Sequence, residues 1–97
     1  MTRLKLLQDT AARAVLAAYI DLKARLAIDL RERRRRRSLT QADLAKRLQS
    51  SQSRIAKMEA GDPSVSLDLL IRSLLILGAS RRELSRIISA RSPVPAA

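Results

Sequence analysis

The stretch Leu39-Thr-Gln-Ala-Asp-Leu-Ala-Lys-Arg-Leu-Gln-Ser-Ser-Gln-Ser-Arg-Ile-Ala-Lys-Met-Glu-Ala-Gly61 decides the fold. Thr40 with Asp43 three residues later has the form of a capping box. Ala42, Leu44, Ala45 and Leu48 supply a short apolar face, so the pattern predicts a helix over Gln41 to Leu48. Gln49-Ser50 is the only connection before Ser51, a good N-cap for a further helix through Glu59 with Ile55 and Met58 turned inward. Two short helices joined by a tight turn result, and Ala45 is small enough to let them cross closely. With Leu44, Leu48, Ile55 and Met58 buried, the second helix presents Gln52, Ser53 and Lys57 outward, with Arg54 on one flank.

On the N-terminal side nothing breaks a helix from Arg3 to about Arg37. Apolar residues recur at Leu4, Leu7, Ala11, Val15, Ala18, Leu22 and Leu26, the steps of three and four that mark one helical face. A second line runs through Leu16, Ile20, Ala27 and Leu30. A helix of that reach is about 50 Å long at 1.5 Å per residue, more than a small domain is wide, so part of it overhangs and a partner is implied. A second copy of the chain is the preferred partner, because small oligomers are most often symmetric homodimers. A different protein is the alternative. The helix ends in Arg33-Arg34-Arg35-Arg36-Arg37, and five consecutive side chains point all round a helix. Some of these arginines must lie along apolar neighbours or meet an anion.

On the C-terminal side, Gly61 and Pro63 end the third helix. Ser66 caps a fourth, Leu67 to Leu77, with Val65 placed to meet Leu70 as a hydrophobic staple, and Gly78 stops it. Ser80-Arg81-Arg82-Glu83 has the form of a full capping box opening a fifth helix, whose stripe is Leu84, Ile87 and Ile88. The expected architecture is therefore all-α with five helices. Residues 1–29 form a helical extension for dimerisation or partner binding, 30–91 form the domain, and 92–97 form a disordered tail.

Composition narrows the function. The core must be built from Leu, Ile, Val and Ala, since there is no Phe or Trp and Tyr19 is the only aromatic residue. The absence of Cys and His removes thiol nucleophiles, imidazole bases, disulfides and the usual zinc sites, so neither an enzyme nor a bound cofactor or metal is expected. Twenty Lys and Arg against nine Asp and Glu give a net charge of +11, which calls for a polyanionic partner. Residues 31 to 57 alone hold ten Lys and Arg against Glu32 and Asp43, an imbalance that a solvated helix face does not need and phosphate contacts do. Met1 to Gln8 lacks the form of a secretory signal, and charges interrupt every apolar run, so no membrane span is expected and the cytoplasm, at the nucleoid, is the expected place.

Thr40-Gln41, Leu44-Ala45, the turn at Gln49-Ser50, Ser51, Ile55 and Glu59 before Gly61 resemble, at matching spacing, the Cro/cI or XRE family of helix-turn-helix regulators. The likeness covers roughly residues 30 to 78. The continuation Gly61-Asp-Pro-Ser-Val-Ser-Leu-Asp-Leu-Leu is similar to HigA-type antitoxins. The resemblance implies a lambda-repressor-like domain that binds duplex DNA as a dimer. A major groove about 12 Å wide admits one helix, whose N-terminal residues meet base edges. Gln52 can offer a paired donor and acceptor to adenine, Ser51 and Ser53 suit phosphate or base, and Arg54 and Lys57 can donate to guanine or phosphate. The resemblance puts Gln41 on a backbone phosphate and pairs Arg34 with Glu59 as a structural ion pair; Arg36 and Lys46 are the further candidate phosphate contacts. The sequence departs from the family at Arg33 and Arg37, where an aliphatic residue is commoner, and at Ala60, where a polar residue is frequent.

The function implied is a sequence-specific repressor on a near-palindromic operator, autoregulating its own operon. One alternative is an antitoxin that also binds a toxin protein. Another is a helical interaction protein without specific DNA binding, against which stands an a/d pattern that Asp21 interrupts in one phase and Thr10 in another. An arginine-rich peptide for RNA or a membrane surface would have no use for the folded module.

Overall fold

The computed structural model describes residues 10–90. It contains α1 (Thr10–Arg36), α2 (Gln41–Arg47), α3 (Gln52–Glu59), α4 (Leu67–Ile76) and α5 (Arg81–Ser89), with no strand among the described residues. The all-α class expected from the sequence is the one found. Leu4, Leu7 and the tail 92–97 lie outside the described residues.

Each of the four later helices begins on a hydroxyl. Thr40, Ser51, Ser66 and Ser80 have extended backbones, and their side-chain oxygens accept from the N–H groups of Asp43, Arg54, Leu69 and Glu83. Each satisfies one of the orphan donors that every helix start leaves, worth about 1 kcal/mol per cap. At Thr40 the box is complete, since Asp43 accepts in return from the Thr40 N–H at 2.8 Å. At Ser80 the reciprocal half is not made: Glu83 instead meets Arg33 Nη1 at 2.7 Å, so the box expected there is replaced by a tertiary ion pair.

The helix ends are equally uniform. After α1, α2, α3 and α4 the chain closes with the same pair of bonds: Ser38 N–H to Arg35 O and Leu39 N–H to Arg34 O, then Gln49 to Lys46 and Ser50 to Ala45, then Gly61 to Met58 and Asp62 to Lys57, then Gly78 to Leu75 and Ala79 to Leu74. This is the Schellman closure, which needs one left-handed residue. Gly61 (φ 72°) and Gly78 (φ 87°) supply it at no steric cost, whereas Ser38 (φ 56°) and Gln49 (φ 52°) adopt it against their Cβ.

Leu26, Ala27 and Leu30 of α1, Leu44 and Ala45 of α2, Ile55 and Met58 of α3, Val65, Leu70, Leu74, Leu77 and Ala79 make one buried cluster, with Leu39, Leu48, Leu67, Leu69, Ile71, Leu84 and Ile87 packed on its edge. Leu30, Leu44, Ile55, Met58, Leu74 and Leu77 are fully buried, and each such aliphatic side chain contributes about 1.5–3 kcal/mol of transfer free energy. Val65 and Leu70 are both buried, the positions the staple requires.

Two expectations need correction, at Ala42 and at Ile88. Ala42 is exposed, so the inward face of α2 is Leu44 and Ala45 with Leu48 half-buried at its C-cap. Ile88 is exposed, and α5 has no fully buried residue. The face of α1 on the core is Lys23, Leu26, Ala27, Leu30 and Arg34, drawn largely from the second apolar line. Ala11 and Ala18 are exposed and Leu22 is half-buried. The helix crosses residues 29 and 30 without a break, and side chains from Lys23 onward already belong to the core.

α1 accommodates its charges through specific partners. Buried Lys23 donates to the Pro63 carbonyl at 3.2 Å and lies 5.4 Å from the centre of the Tyr19 ring. Arg25 pairs with Asp21 at 2.7 Å and reaches the Ile88 carbonyl at 3.5 Å. Arg33 bridges Asp29 at 3.2 Å and Glu83 at 2.7 Å. Arg25 and Arg33 thus fasten the two ends of α5, and α1 runs the length of the molecule, whose long dimension is 44 Å.

Candidate nucleic-acid interface

α3 stands on Ile55 and Met58, both at 0 % exposure, and this anchoring fixes which side faces out. Ser51, Gln52, Ser53, Arg54 and Lys57 are all exposed. The opening turn of α3 is therefore a rigid, hydroxyl- and amide-bearing edge with two cations behind it. The Ser51 hydroxyl is engaged as the cap, accepting from the Arg54 N–H at 3.2 Å. Its proton stays available to a phosphate or base acceptor.

Beside this edge lies a concavity of about 420 Å³ lined by Ser51, Ser53, Arg54, Lys57, Ser64 and Val65. Ser64 is not among the residues that the sequence singles out. It is held by Asp62, whose Oδ1 accepts from the Ser64 hydroxyl at 2.6 Å and from its N–H at 2.8 Å. Those two bonds, the hydroxyl's first, hold the Asp62 carboxyl below its usual range. The signal was the Asp62-Pro63-Ser64 turn, in which an Asp side chain mimics a backbone turn two residues on.

The second element of the site is a buried relay. Arg34 donates from Nε and Nη2 to the two Glu59 oxygens at 2.6 and 2.9 Å, and from Nη1 to the Leu39 carbonyl at 2.7 Å. Gln41 donates to Glu59 Oε1 at 3.3 Å. Burial pushes the Glu59 carboxyl up. The hydrogen bonds from Arg34 and Gln41, with the positive fields of Arg34 and Arg31, outweigh it and hold the group below the usual glutamate range. The bond to Glu59 raises Arg34 above its usual value against burial. The consequence for Gln41 is orientation: one amide N–H is committed to Glu59, and the second remains for an outside acceptor.

Arg36 and Lys46 are exposed, as contacts to a phosphate backbone require. Arg33 and Arg37 are not equivalent to them. Arg33 is spent on Asp29 and Glu83, and the Arg37 guanidinium lies over Gly78, so close that a Cβ there would sit 2.6 Å from Nη2. Polar packing against acids and a glycine takes the place of the aliphatic contacts commoner at these two positions.

A family model described as a helix-turn-helix domain matches residues 25–87, and the chain belongs to this family. The match agrees with an XRE-type regulator and begins within α1, where the core begins. No curated protein and no solved structure matches the chain. Among the described residues no helix is long and apolar enough to cross a membrane, and no group of three metal-ligating acidic, His or Cys side chains occurs.

Proposed function

We propose that this chain is a sequence-specific, duplex-DNA-binding transcriptional repressor that acts as a homodimer on a near-palindromic operator of its own operon. The observation that carries the reading is the division of α3: Ile55 and Met58 are wholly buried while Ser51, Gln52, Ser53, Arg54 and Lys57 are open to solvent. A helix held this way enters a major groove N-terminus first, with Gln52 on base edges and Ser51, Ser53, Arg54 and Lys57 divided between bases and phosphates. Gln41, Arg36 and Lys46 bind phosphates on either side, and the excess of positive charge supplies the sequence-independent part of the affinity. A cytoplasmic, nucleoid-associated protein is the corresponding cellular form. The test is selection of bound fragments from genomic DNA: enrichment of a paired-half-site motif near the chain's own gene supports repression, and recovery without any enriched motif refutes sequence specificity.

A second reading makes the chain an antitoxin that also binds a toxin protein. It draws on the likeness of Gly61–Leu70 to HigA-type antitoxins and on the open apolar surface near the start of α1, where Val15 is 71 % and Ile20 59 % exposed. Co-expression with the neighbouring gene product, followed by measurement of a stable complex, separates the two.

A further inference from the structure

We infer that the crevice between α1 and α5 binds a small phosphate monoester that carries an apolar or aromatic group. The inference goes beyond DNA binding, because the walls come from α1, α5 and the residues directly after them, with none from α2 or α3. At one end the crevice opens to about 490 Å³ around Arg33, Arg36, Arg37 and Arg86. At the other it continues as a second concavity of about 380 Å³, whose apolar side chains are Ile28, Ile87 and Ala90. The two share Asp29, Arg86 and Ile87.

The first end is built for an anion. Arg33 engages both acids of its wall, Asp29 at 3.2 Å and Glu83 at 2.7 Å. Arg36, Arg37 and Arg86 are left with no ion pair to a carboxylate of the described residues, Glu32 at the second concavity included. Three guanidiniums around one concavity repel one another, and a bound anion turns that repulsion into attraction. Gly78 makes room for one of them, since a Cβ there would lie 2.6 Å from Arg37 Nη2. A guanidinium keeps its proton at any physiological pH and presents its N–H groups as a fork that suits phosphate oxygens. A carboxylate, with two oxygens and a single charge, is less than three forks can hold. A phosphate monoester has three terminal acceptor oxygens and a charge of about −1.5 to −2 at neutral pH.

The second concavity defines the rest of the ligand. Ile28 is 45 % exposed and Ile87 half-buried, so apolar surface faces water within reach of the same cations. An apolar group on the phosphate covers that surface and gains by leaving water. Arg86 lines both concavities, so the phosphate and its substituent meet beside it. Each volume falls in the roughly 300–1,000 Å³ range of small-molecule sites. A phosphate of the DNA backbone is the other source of this chemistry, but it is a diester with one charge and would leave the Ile28 end empty.

The experiment is calorimetric titration of the full chain, at fixed ionic strength, with naphthyl phosphate, inorganic phosphate and naphthol, alongside duplex binding at two salt concentrations. It uses the parent, Arg86→Ala and Ile28→Ser, and leaves alone Arg36, which also serves the proposed contacts to DNA. Circular dichroism unchanged from the parent is expected, since both positions are exposed. On the parent, naphthyl phosphate should bind about tenfold or more tightly than either other probe, because it alone fills both ends. Arg86→Ala should weaken it about tenfold, the loss of one charged hydrogen-bonding partner. Ile28→Ser should weaken it severalfold and leave inorganic phosphate as it was. Duplex affinity and its salt dependence should be the same in Arg86→Ala as in the parent. Naphthyl phosphate that binds no better than inorganic phosphate, or that is unaffected by either substitution, overturns the inference. So does a fall in duplex affinity and salt slope in Arg86→Ala, which would assign the crevice to the DNA backbone. Failure to bind any duplex refutes the DNA reading instead, while the probe titrations still judge the crevice.

Discussion

Arg34 and Glu59, 25 positions apart in sequence, form a two-pronged ion pair that ties the last turn of α1 to the last turn of α3. Both side chains are largely withdrawn from water, at 10 % and 4 % exposure. Removing one partner strands the other as an uncompensated buried charge, a loss of about 3–5 kcal/mol. Glu59→Gln should therefore destabilise by an amount of that order in urea titration. The paired replacement Arg34→Met with Glu59→Leu should recover most of it, which a cost arising simply from lost packing would not allow.

The same pair sets an acid limit. Glu59 is held below its ordinary value of 4.5 in the folded chain, and Asp43, capping α2, below 3.8, chiefly by the Thr40 backbone N–H. A carboxylate with a depressed folded value stabilises above its unfolded value and loses that contribution as pH falls through the folded one. Stability measured by thermal melts should be level from neutral pH down to about 5 and decline steadily below about 4. In Glu59→Gln that decline should be shallower, and an unchanged slope would show that other carboxylates dominate.

At the DNA surface the expected effects divide by role. Gln52→Ala removes a candidate base contact and should relax preference at one position of each half-site, at a cost of about 1–3 kcal/mol on the best sequence. Arg36→Ala should weaken all sequences alike and reduce the slope of log affinity against log salt by about 1. Competition binding at two salt concentrations reads both, and equal loss of selectivity from the two changes would contradict the assignment.

Two helix closures carry strain that can be relieved. Ser38 and Gln49 hold left-handed backbones with a Cβ, which costs about 1–2 kcal/mol, while glycine gives back about 0.5–1 in chain entropy. Ser38→Gly and Gln49→Gly should each stabilise by roughly 0.5–1 kcal/mol in chemical denaturation. Gly61→Ala, whose added methyl meets open space, isolates the backbone part of the effect and should destabilise by about 1 kcal/mol.

The parts of the fold that are legible in the sequence are those governed by local chemistry. Hydroxyls at 40, 51, 66 and 80 start helices because the orphan N–H groups lie within their reach, and such rules act over about four residues. The outward edge of α3 follows from the same logic once Ile55 and Met58 are taken inward. What escapes depends on partners distant in sequence. Glu83 has two possible uses, a local cap or Arg33, and only the packing of α5 on α1 decides between them. Gln41 reads as a phosphate ligand alone because its bond to Glu59 spans 18 positions. Lys23 looks like an ordinary surface charge until the fold brings the Pro63 carbonyl within 3.2 Å. The two apolar lines of α1 are both visible, but which one meets the core turns on where α4 and α5 lie.

α1 contains neither glycine nor proline between residues 10 and 36, so its exposed first half and the half that builds the core are one strut with no joint. On the dimeric reading proposed above, each base pair added between half-sites would swing the second by about 34–36° around the duplex, and a partner held on a jointless strut would have no means to follow it.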